Sequence, residues 1–356
     1  MKSLSIAWEP CVRTRTRAST CQACVDACPT AALDLSGPRG SVAADLARCT
    51  ECGLCQAACP TEALSSAFDP AVLLASGRTD VRCGEGAPCT GALSAEDLVT
   101  LALRGGEVTL TAVASCAAAA GHAVIASRVA EANVLLDALG APQRISVRAE
   151  TKEPASPPPE EAPPPRRAFF AGLLSGRTAL DPAAAPRHEK LTLDLARLDI
   201  AAMRAPTVPA RRRRLLDAIG AVGPGGADRP PIPAASIGFT SSKALDPGTC
   251  TACVLCVMVC PTGALSTSAW GRELGFDASR CVKCAACHEA CEPRSLTLAP
   301  ALDVEAFASG RSRPLGRFAV RSCGECGALF KRRGDEGLCP RCLSLDEEAR
   351  DLVRMK

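Results

Sequence analysis

Apolar and polar positions repeat most regularly between residues 71 and 150, where the pattern changes from strand to helix and back. The predicted elements are a strand at Asp80–Cys83, a helix at Ser94–Arg104, a strand at Val108–Ala114, a helix at Ala120–Leu139 and a strand at Arg144–Val147. Ser94 followed by Glu96 and Asp97 is typical of a helix start. Because strands and helices alternate, we expect a small α/β unit with a parallel sheet.

The segment from residue 151 to residue 235 lacks such a pattern and is rich in proline and arginine. Charges and prolines alternate along Glu153–Pro165, and such a composition cannot pack a core. We therefore expect residues 151–235 to act as a flexible linker, with a short basic helix at Arg211–Val222.

The composition limits the classes of function. A chain of 356 residues is long enough for two or three domains. Aromatic residues make up only 3%, so the hydrophobic cores must be small and need cross-links or bound metals to stabilise them. A net charge of +3 gives no reason to expect a nucleic-acid partner. No apolar stretch is long enough to span a membrane, and Met1–Pro10 lacks the apolar region of a signal peptide, so we expect a cytoplasmic protein.

Arginines form two conspicuous groups. Arg13, Arg15 and Arg17 alternate with other residues, and Arg211–Arg214 is a run of four. Either group could steer an acidic redox partner or tune a metal centre through its positive charge. Solvated surface is the simpler interpretation, and it is the one we expect for both groups.

Cysteine is the strongest signal, with 23 in the chain and most of them in short, regular runs. Four runs follow C-x2-C-x2-C-x3-C or a close variant: Cys21, Cys24 and Cys28; Cys49, Cys52, Cys55 and Cys59; Cys250, Cys253, Cys256 and Cys260; and Cys281, Cys284, Cys287 and Cys291. Exactly the same interval, 20 residues, separates the two runs of each pair. Tight C-x2-C units have metal-ligand spacing, whereas disulfide frameworks scatter their cysteines.

The hexapeptide C-P-T-x-A-L recurs in these runs, beginning at Cys28, Cys59 and Cys260. In the fourth run Glu292 takes the place of the proline. With these motifs, residues 1–70 and 236–302 resemble bacterial two-[4Fe–4S] ferredoxins. The resemblance implies the β-α-β-β-α-β fold twice in the chain, and it implies that the fourth cysteine of each run ligates the cluster of the other run.

We name the four expected cluster sites A to D. The ligands expected for three of them are Cys28, Cys49, Cys52 and Cys55 for site B; Cys250, Cys253, Cys256 and Cys291 for site C; and Cys260, Cys281, Cys284 and Cys287 for site D. Site A is irregular, because the position of its first ligand is occupied by Ala18. Its expected ligands are Cys11, Cys21, Cys24 and Cys59, with the loop Val12–Thr20 bringing Cys11 back to the others.

Other occupants of these sites stay open. A zinc-bound or empty cysteine knot is the alternative for any of them. A three-iron or three-cysteine site without Cys11 is the alternative for site A.

Four further cysteines lie near the C-terminus, within residues 318–345. Cys323 and Cys326 form one C-x2-C knuckle, and Cys339 and Cys342 form another after an interval of 12 residues. Two knuckles supply four thiolates to one tetrahedral metal. The spacing is similar to that of zinc ribbons, so we expect one structural Zn²⁺; iron in a rubredoxin-like site is the alternative.

Cys83, Cys89 and Cys116 fall outside every repeat. Cys83 and Cys116 follow predicted parallel strands, whose carboxyl ends share one edge of a sheet, so these thiols could be neighbours. They could form an additional Fe–S or other metal site, with His122 as a fourth ligand, or a redox-active thiol pair. Buried cysteines acting as small hydrophobes are an equal alternative. The unit faintly resembles the small subunit that joins hydrogenase to heterodisulfide reductase, which carries a cysteine-bound [2Fe–2S] centre.

The predicted fold class is therefore α+β and multidomain: two dicluster modules, a small α/β domain between them and a C-terminal zinc ribbon. We expect an electron-transfer protein without independent catalytic turnover, because no Ser/His/Asp constellation and no phosphate loop is present. The layout loosely resembles polyferredoxins that accompany molybdenum- or tungsten-dependent oxidoreductases, and such an enzyme is one candidate partner. Alternative functions are a thiol or disulfide reductase that uses the central cysteines, and a maturation factor for an Fe–S or molybdenum enzyme.

Overall fold

The computed structural model describes residues 3–113, 119–150, 190–223, 229–268, 271–332, 334 and 337–354. Its strands are β1 (Ser5–Ile6), β2 (Leu33–Asp34), β3 (Ala43–Asp45), β4 (Leu64–Ser65), β5 (Asp80–Cys83), β6 (Gly86–Ala87), β7 (Val108–Val113), β8 (Ile145–Glu150), β9 (Lys190–Leu191), β10 (Ile232–Pro233), β11 (Lys243–Leu245), β12 (Leu265–Thr267), β13 (Glu273–Phe276), β14 (Leu296–Leu298), β15 (Ala301–Leu302), β16 (Arg313–Arg317), β17 (Val320–Ser322) and β18 (Leu329–Lys331). Its α-helices are α1 (Val12–Arg15), α2 (Ala23–Asp26), α3 (Leu54–Ala58), α4 (Pro70–Ser76), α5 (Ala95–Gly105), α6 (Ala119–Ala138), α7 (Ile200–Arg204), α8 (Ala210–Val222), α9 (Leu255–Met258), α10 (Ala286–Glu289), α11 (Val304–Ser309) and α12 (Pro340–Arg354).

The first 65 residues form the N-terminal module, which has the β-α-β-β-α-β order expected of a ferredoxin-like fold. The outer strands β1 and β4 pair antiparallel, as do the inner strands β2 and β3. Helices α2 and α3 each lie within a cysteine run, and α1 is an addition in the loop that follows Cys11. Because these strands and helices are short, the cysteine loops supply much of this module's core.

The C-terminal module, β11 to β14, repeats the same order. Its outer strands β11 and β14 pair antiparallel, and so do β12 and β13. In each module a strand from outside the repeat joins the inner pair: β9 pairs with β3, and β16 pairs with β13. The edge of each inner hairpin is thereby covered.

Between the modules lies the central sheet, with the strand order β6-β5-β7-β8 and all pairs parallel. The predicted parallel arrangement is confirmed, and the predicted helices agree with α5 and α6 to within one residue at each end. Ser94 caps α5, accepting from the backbone N–H of Asp97 at 3.2 Å. The third strand is longer than predicted, since β8 extends to Glu150.

The central sheet and the C-terminal module share one hydrophobic core, whereas the N-terminal module has its own. Leu215 and Ile219 of α8 belong to the shared core, together with Leu98 of α5 and Phe307 of α11. No helix in the described ranges combines the length and apolar character needed to cross a membrane.

The range that the sequence assigned to a linker, residues 151–235, is partly folded. Its described residues form β9, α7, α8 and β10, and the predicted helix at Arg211–Val222 is confirmed as α8. Apolar residues at helical spacing, Leu215, Ala218 and Ile219, bury one face of α8, so this segment packs against α5 instead of spanning open solvent. The alternating segment Glu153–Pro165 lies outside the described residues.

Candidate metal centres

The structure brings together the thiols predicted for sites B, C and D. One cavity is lined by Cys28, Cys49, Cys52 and Cys55. A second is lined by Cys250, Cys253, Cys256 and Cys291. A third is lined by Cys260, Cys281, Cys284 and Cys287. Each cavity thus receives three thiols from one run and the fourth from its partner run.

Site A gathers its thiols around Cys24, which is buried beside Cys59 in the core of the N-terminal module. Burial raises the pKa of Cys24, and the charges of Cys59, Cys11 and Cys21 raise it further. Cys11, at the start of α1, therefore lies within electrostatic range of Cys24 and Cys59. Its pKa is also raised, first by burial and then by Cys59.

The same physical effects describe the other sites. Burial raises the pKa of Cys55 to about 12, with further contributions from Cys52, Cys28 and Cys49. Converging thiols that are kept neutral by burial and mutual repulsion become thiolates when a metal cation supplies the opposing charge.

Left-handed backbone conformations are concentrated in the cysteine runs. Among the described non-glycine residues with positive φ, all but Arg39 lie within a cysteine run or three residues after its last cysteine: Ala31, Glu51, Glu62, Ala252, Val254, Lys283, Ala285 and Arg294. Such conformations cost free energy and persist where the surrounding structure demands them. Here they wrap the chain tightly around each group of thiols.

The tight turns aim backbone N–H groups at sulfur. The N–H of Glu51 donates to Sγ of Cys49 at 3.4 Å, and that of Ala252 donates to Cys250 at 3.4 Å. The N–H of Ala63 donates to Sγ of Cys59 at 3.2 Å. Such donors stabilise a sulfur that carries negative charge, so they suit thiolate ligands.

The first run departs from this backbone pattern. The regular runs have residues with positive φ on both sides of their second cysteine, as at Glu51 and Gly53. In the first run, where Ala18 takes the first position, Cys21 is the equivalent of that second cysteine. Its neighbours Thr20 and Gln22 do not have positive φ. This departure accompanies the missing cysteine at Ala18. Instead, Arg13 holds the loop: its Nε donates to the carbonyl of Gly40 at 2.7 Å and its Nη1 to that of Cys21 at 3.0 Å.

The C-terminal cysteines form a compact group. The Sγ atoms of Cys323, Cys326, Cys339 and Cys342 all lie within 4.8 Å of one another, and only Cys326 is exposed. Hydrogen bonds from the backbone N–H groups of Cys326 and Cys339 lower the pKa of Cys323 to about 6. This is a possible tetrahedral metal site.

Two of the three central cysteines lie within the described residues. Sγ of Cys83, at the end of β5, accepts from the N–H of Thr90 at 3.4 Å, and Sγ of Cys89 accepts from that of Gly91 at 3.3 Å. Cys116 and the side chain of His122 lie outside the described part of the chain. A metal or redox site at these residues stays a prediction.

The comparisons with protein families match part of each ferredoxin-like module. A 4Fe-4S dicluster domain matches residues 19–63, and a 4Fe-4S binding domain matches residues 244–266. The chain contains two iron–sulfur domains of the ferredoxin type. No curated protein matches it at a significant level. Domains of this type bind [4Fe–4S] clusters and imply redox partners.

The expectation of solvated surface for Arg211–Arg214 is wrong for its first two residues. Arg211 and Arg212 are buried, because both pair with Glu96 of α5, at 3.0 Å and 2.5 Å respectively. Arg213 is exposed, as expected. Sequence reasoning missed the role of Glu96; the signal was that Arg211 shares a helix face with Leu215 and Ala218, a position from which a side chain points into the protein.

The arginines of the first loop are only partly solvated. Arg17 is exposed, as expected, but Arg13 and Arg15 are half-buried. Carbonyl oxygens account for this, since Arg13 binds those of Gly40 and Cys21, and Arg15 binds that of Arg204 at 3.0 Å.

Proposed function

We propose that this chain is an electron-transfer protein that relays single electrons through four [4Fe–4S] clusters. The observation that carries the proposal is the sorting of the cysteines into groups of four, with each group drawn from two paired runs. Thiolates are the ligands of such clusters, so the donor set fits. When bound, the clusters supply one-electron chemistry.

The protein's own contribution is to hold the thiolates and to set their surroundings. Sites A to D take the ligands given for them above, including Cys11 at site A. Backbone N–H groups donate to the sulfurs, and the burial of residues such as Cys24 and Cys287 limits access of water. We assign one structural Zn²⁺ to the C-terminal cysteines, because the two knuckles converge as in a closed tetrahedral site.

The partner that we propose is a cytoplasmic oxidoreductase, with a molybdenum- or tungsten-dependent enzyme as one candidate. Site C offers a place for exchange with it, since Cys253 is exposed at that site. Met258, on the helix of the same run, is 70% exposed and adds an apolar contact.

Metal analysis combined with electron paramagnetic resonance tests the proposal. The full chain, purified without oxygen, should contain about sixteen iron atoms, as much acid-labile sulfide, and about one zinc, from four Fe₄S₄ clusters and one tetrahedral site. Reduction with dithionite should give signals of interacting reduced clusters. Protein with zinc in the ferredoxin-type modules and no labile sulfide would overturn the proposal.

A further inference from the structure

The segment that enters α8 lies against both cysteine modules. The N–H of Thr207 donates to the carbonyl of Pro261, in the C-P-T-x-A-L motif of the C-terminal module, at 2.8 Å. Three residues later, the N–H of Ala210 donates to a carboxylate oxygen of Glu62, in the same motif of the N-terminal module, at 2.6 Å. Because Glu62 also accepts from the N–H of Arg211, its carboxylate caps the first turn of α8.

The variable position of the motif contacts this segment in both modules. In the N-terminal module that position is Glu62, which binds the start of α8. In the C-terminal module it is Gly263, where an added Cβ would lie 3.0 Å from Cβ of Pro206. The two motifs therefore contact the same short stretch of chain.

The buried pair at the start of α8 reaches the backbone of one cysteine in each module. Arg211 donates to the carbonyl oxygen of Cys59, a site A residue. Arg212 donates to the carbonyl oxygen of Cys281, a site D residue, at 2.7 Å. Glu96 accepts from both guanidinium groups, and all three side chains are buried. One carboxylate thus holds two arginines, and each of them donates to the backbone of a different module.

Arg212 is held on every side. Its guanidinium also donates to the carbonyl oxygens of Ser279 and Phe239, each at 2.7 Å. The rings of Phe239 and Phe307 lie against it, with centroids 5.5 Å and 5.3 Å from its Cζ. A planar cation with this many partners has one orientation, so it determines where the Cys281 loop lies.

A direct contact joins the loops of sites A and D. Thr20, which precedes Cys21, donates through its N–H to a carboxylate oxygen of Glu289 at 3.0 Å. Its hydroxyl donates to the same oxygen at 2.5 Å. Glu289 follows Cys287 by two residues, and the other oxygen of its carboxylate is buried.

We call the region where the two modules meet around residues 204–212 the junction. Arg15 supports this junction from the side of the N-terminal module. It donates to the carbonyl oxygens of Arg204 at 3.0 Å and Ala205 at 3.3 Å, in the segment that leads to α8. Burial lowers its pKa, and the site D cysteines Cys260 and Cys284 act in the opposite direction. An N-terminal residue therefore lies within electrostatic range of site D.

We infer that sites A and D face each other across this junction and that Glu96, between Arg211 and Arg212, is the residue that positions them. The inference rests on the proposed function and orders the four sites as B, A, D, C. With clusters held by their cysteines, sites A and D would exchange one electron across this junction, one cluster being oxidised as the other is reduced, with no bond formed or broken. Sites B and C are then the two ends of the path.

The test compares the full-length protein with three variants: Glu96→Gln, Glu289→Ala and, as a matched control, Arg213→Gln. Arg213 is the exposed neighbour of Arg212 on α8, and its side chain donates to the carbonyl of Val208 in its own segment at 2.8 Å. Iron and labile sulfide per chain are measured first. Hydrogen–deuterium exchange then follows peptides covering residues 16–22 and 284–291, and EPR gives the microwave power that half-saturates the dithionite-reduced signal, which a neighbouring paramagnetic cluster raises.

We expect at least tenfold faster exchange in both peptides of Glu96→Gln and Glu289→Ala, a several-fold lower half-saturation power, and iron content equal to that of the unchanged protein. Arg213→Gln should match the unchanged protein in every measurement. If both junction variants keep full iron, unchanged exchange and unchanged saturation, the inference is overturned while the proposed function stands.

A different result would count against the proposed function itself. An unchanged protein that lacks iron and labile sulfide removes that function and, with it, the inference. If Glu96→Gln alone loses its iron through misfolding, Glu289→Ala decides, because its side chain lies at the edge of the junction and outside the buried pair.

Discussion

Lys243 and His288 form a donor–acceptor pair beside site D, with Nζ of Lys243 2.7 Å from Nε2 of His288. Because an ammonium group only donates, Nε2 of His288 accepts, and its Nδ1–H donates to the carbonyl of Leu296 at 3.0 Å. Burial, followed by the charge of Lys243, lowers the pKa of His288, so the imidazole is neutral. The positive charge of this pair therefore belongs to Lys243, and it lowers the otherwise raised pKa of Cys287.

Replacing Lys243 with methionine should lower the reduction potential of site D. A nearby positive charge favours the reduced cluster, which carries one more negative charge, and Lys243 lines the same cavity as the site D cysteines. Its removal should therefore shift the potential by an amount on the order of tens of millivolts. A redox titration monitored by EPR measures the shift. Lys190→Met, at an exposed position of β9, is the control. An unaltered titration curve for Lys243→Met would contradict the assignment.

Cys11→Ser should damage site A alone. Loss of one thiolate from a four-iron cluster leaves three ligands, and we expect a loss of about one to four iron atoms per chain or an oxidised three-iron EPR signal. Cys83→Ser is the comparison, and it should leave the iron content unchanged. Iron loss in Cys83→Ser instead would favour the alternative in which the central cysteines hold a cofactor.

Arg13→Gln tests how the irregular loop reaches site A. Arg13 contributes two hydrogen bonds from a charged donor, to Gly40 and Cys21, and their loss should destabilise the loop by about 2–3 kcal/mol. Faster release of iron from site A during exposure to a chelator is the expected result, with the three-iron signal as readout. Arg17→Gln, at an exposed position of the same loop, should release iron at the unchanged rate.

Gly53→Ala tests the packing of the N-terminal module on the central unit. Gly53 has φ of +77°, and an added Cβ would lie 2.7 Å from Cβ of Ala92, so strain and overpacking should together cost about 2–4 kcal/mol. Gly77→Ala separates the two effects: its φ is +67° with nothing within 4 Å, and it should cost about 1–2 kcal/mol. Urea unfolding followed by circular dichroism provides the comparison. Equal losses in both variants would show that the contact with Ala92 has no effect.

A strong chelator should remove the metal of the C-terminal group before the clusters lose iron. We expect about one zinc to be released per chain, since four thiolates hold a single tetrahedral ion. The hairpin of β17 and β18 should then become sensitive to protease, because Cys323 and Cys339 form its small core with Phe330. Iron in the released fraction, without zinc, would favour the rubredoxin-like alternative.

Local patterns in the sequence were sufficient for much of the fold. The helix at Ser94–Arg104 was predictable because its capping residues and apolar spacing lie within a few positions of one another. The resemblance of the cysteine runs to those of ferredoxins likewise implied which thiols would line the cavities of sites B, C and D, since each cavity is built from two short loops.

The junction could not be predicted in this way. Whether Arg212 is solvated or buried depends on Glu96, which is 116 positions away in the chain, and on carbonyl groups from another module. A run of charges contains no information about distant partners of this kind. For the same reason, the proline-rich composition around α8 indicated a linker, although its apolar face completes a core assembled from three parts of the chain.

The shared core makes the two halves of the molecule unequal in how they respond to damage. Cys260, Cys281 and Cys287 belong to the same continuous apolar cluster as the central sheet, whereas the cysteines of the N-terminal module lie in a separate cluster. Oxidative destruction at site D would therefore loosen the central sheet as well and unfold both as one cooperative unit. Comparable damage at site B would stay within the N-terminal module. The rest of the protein would remain folded and keep a shorter electron path.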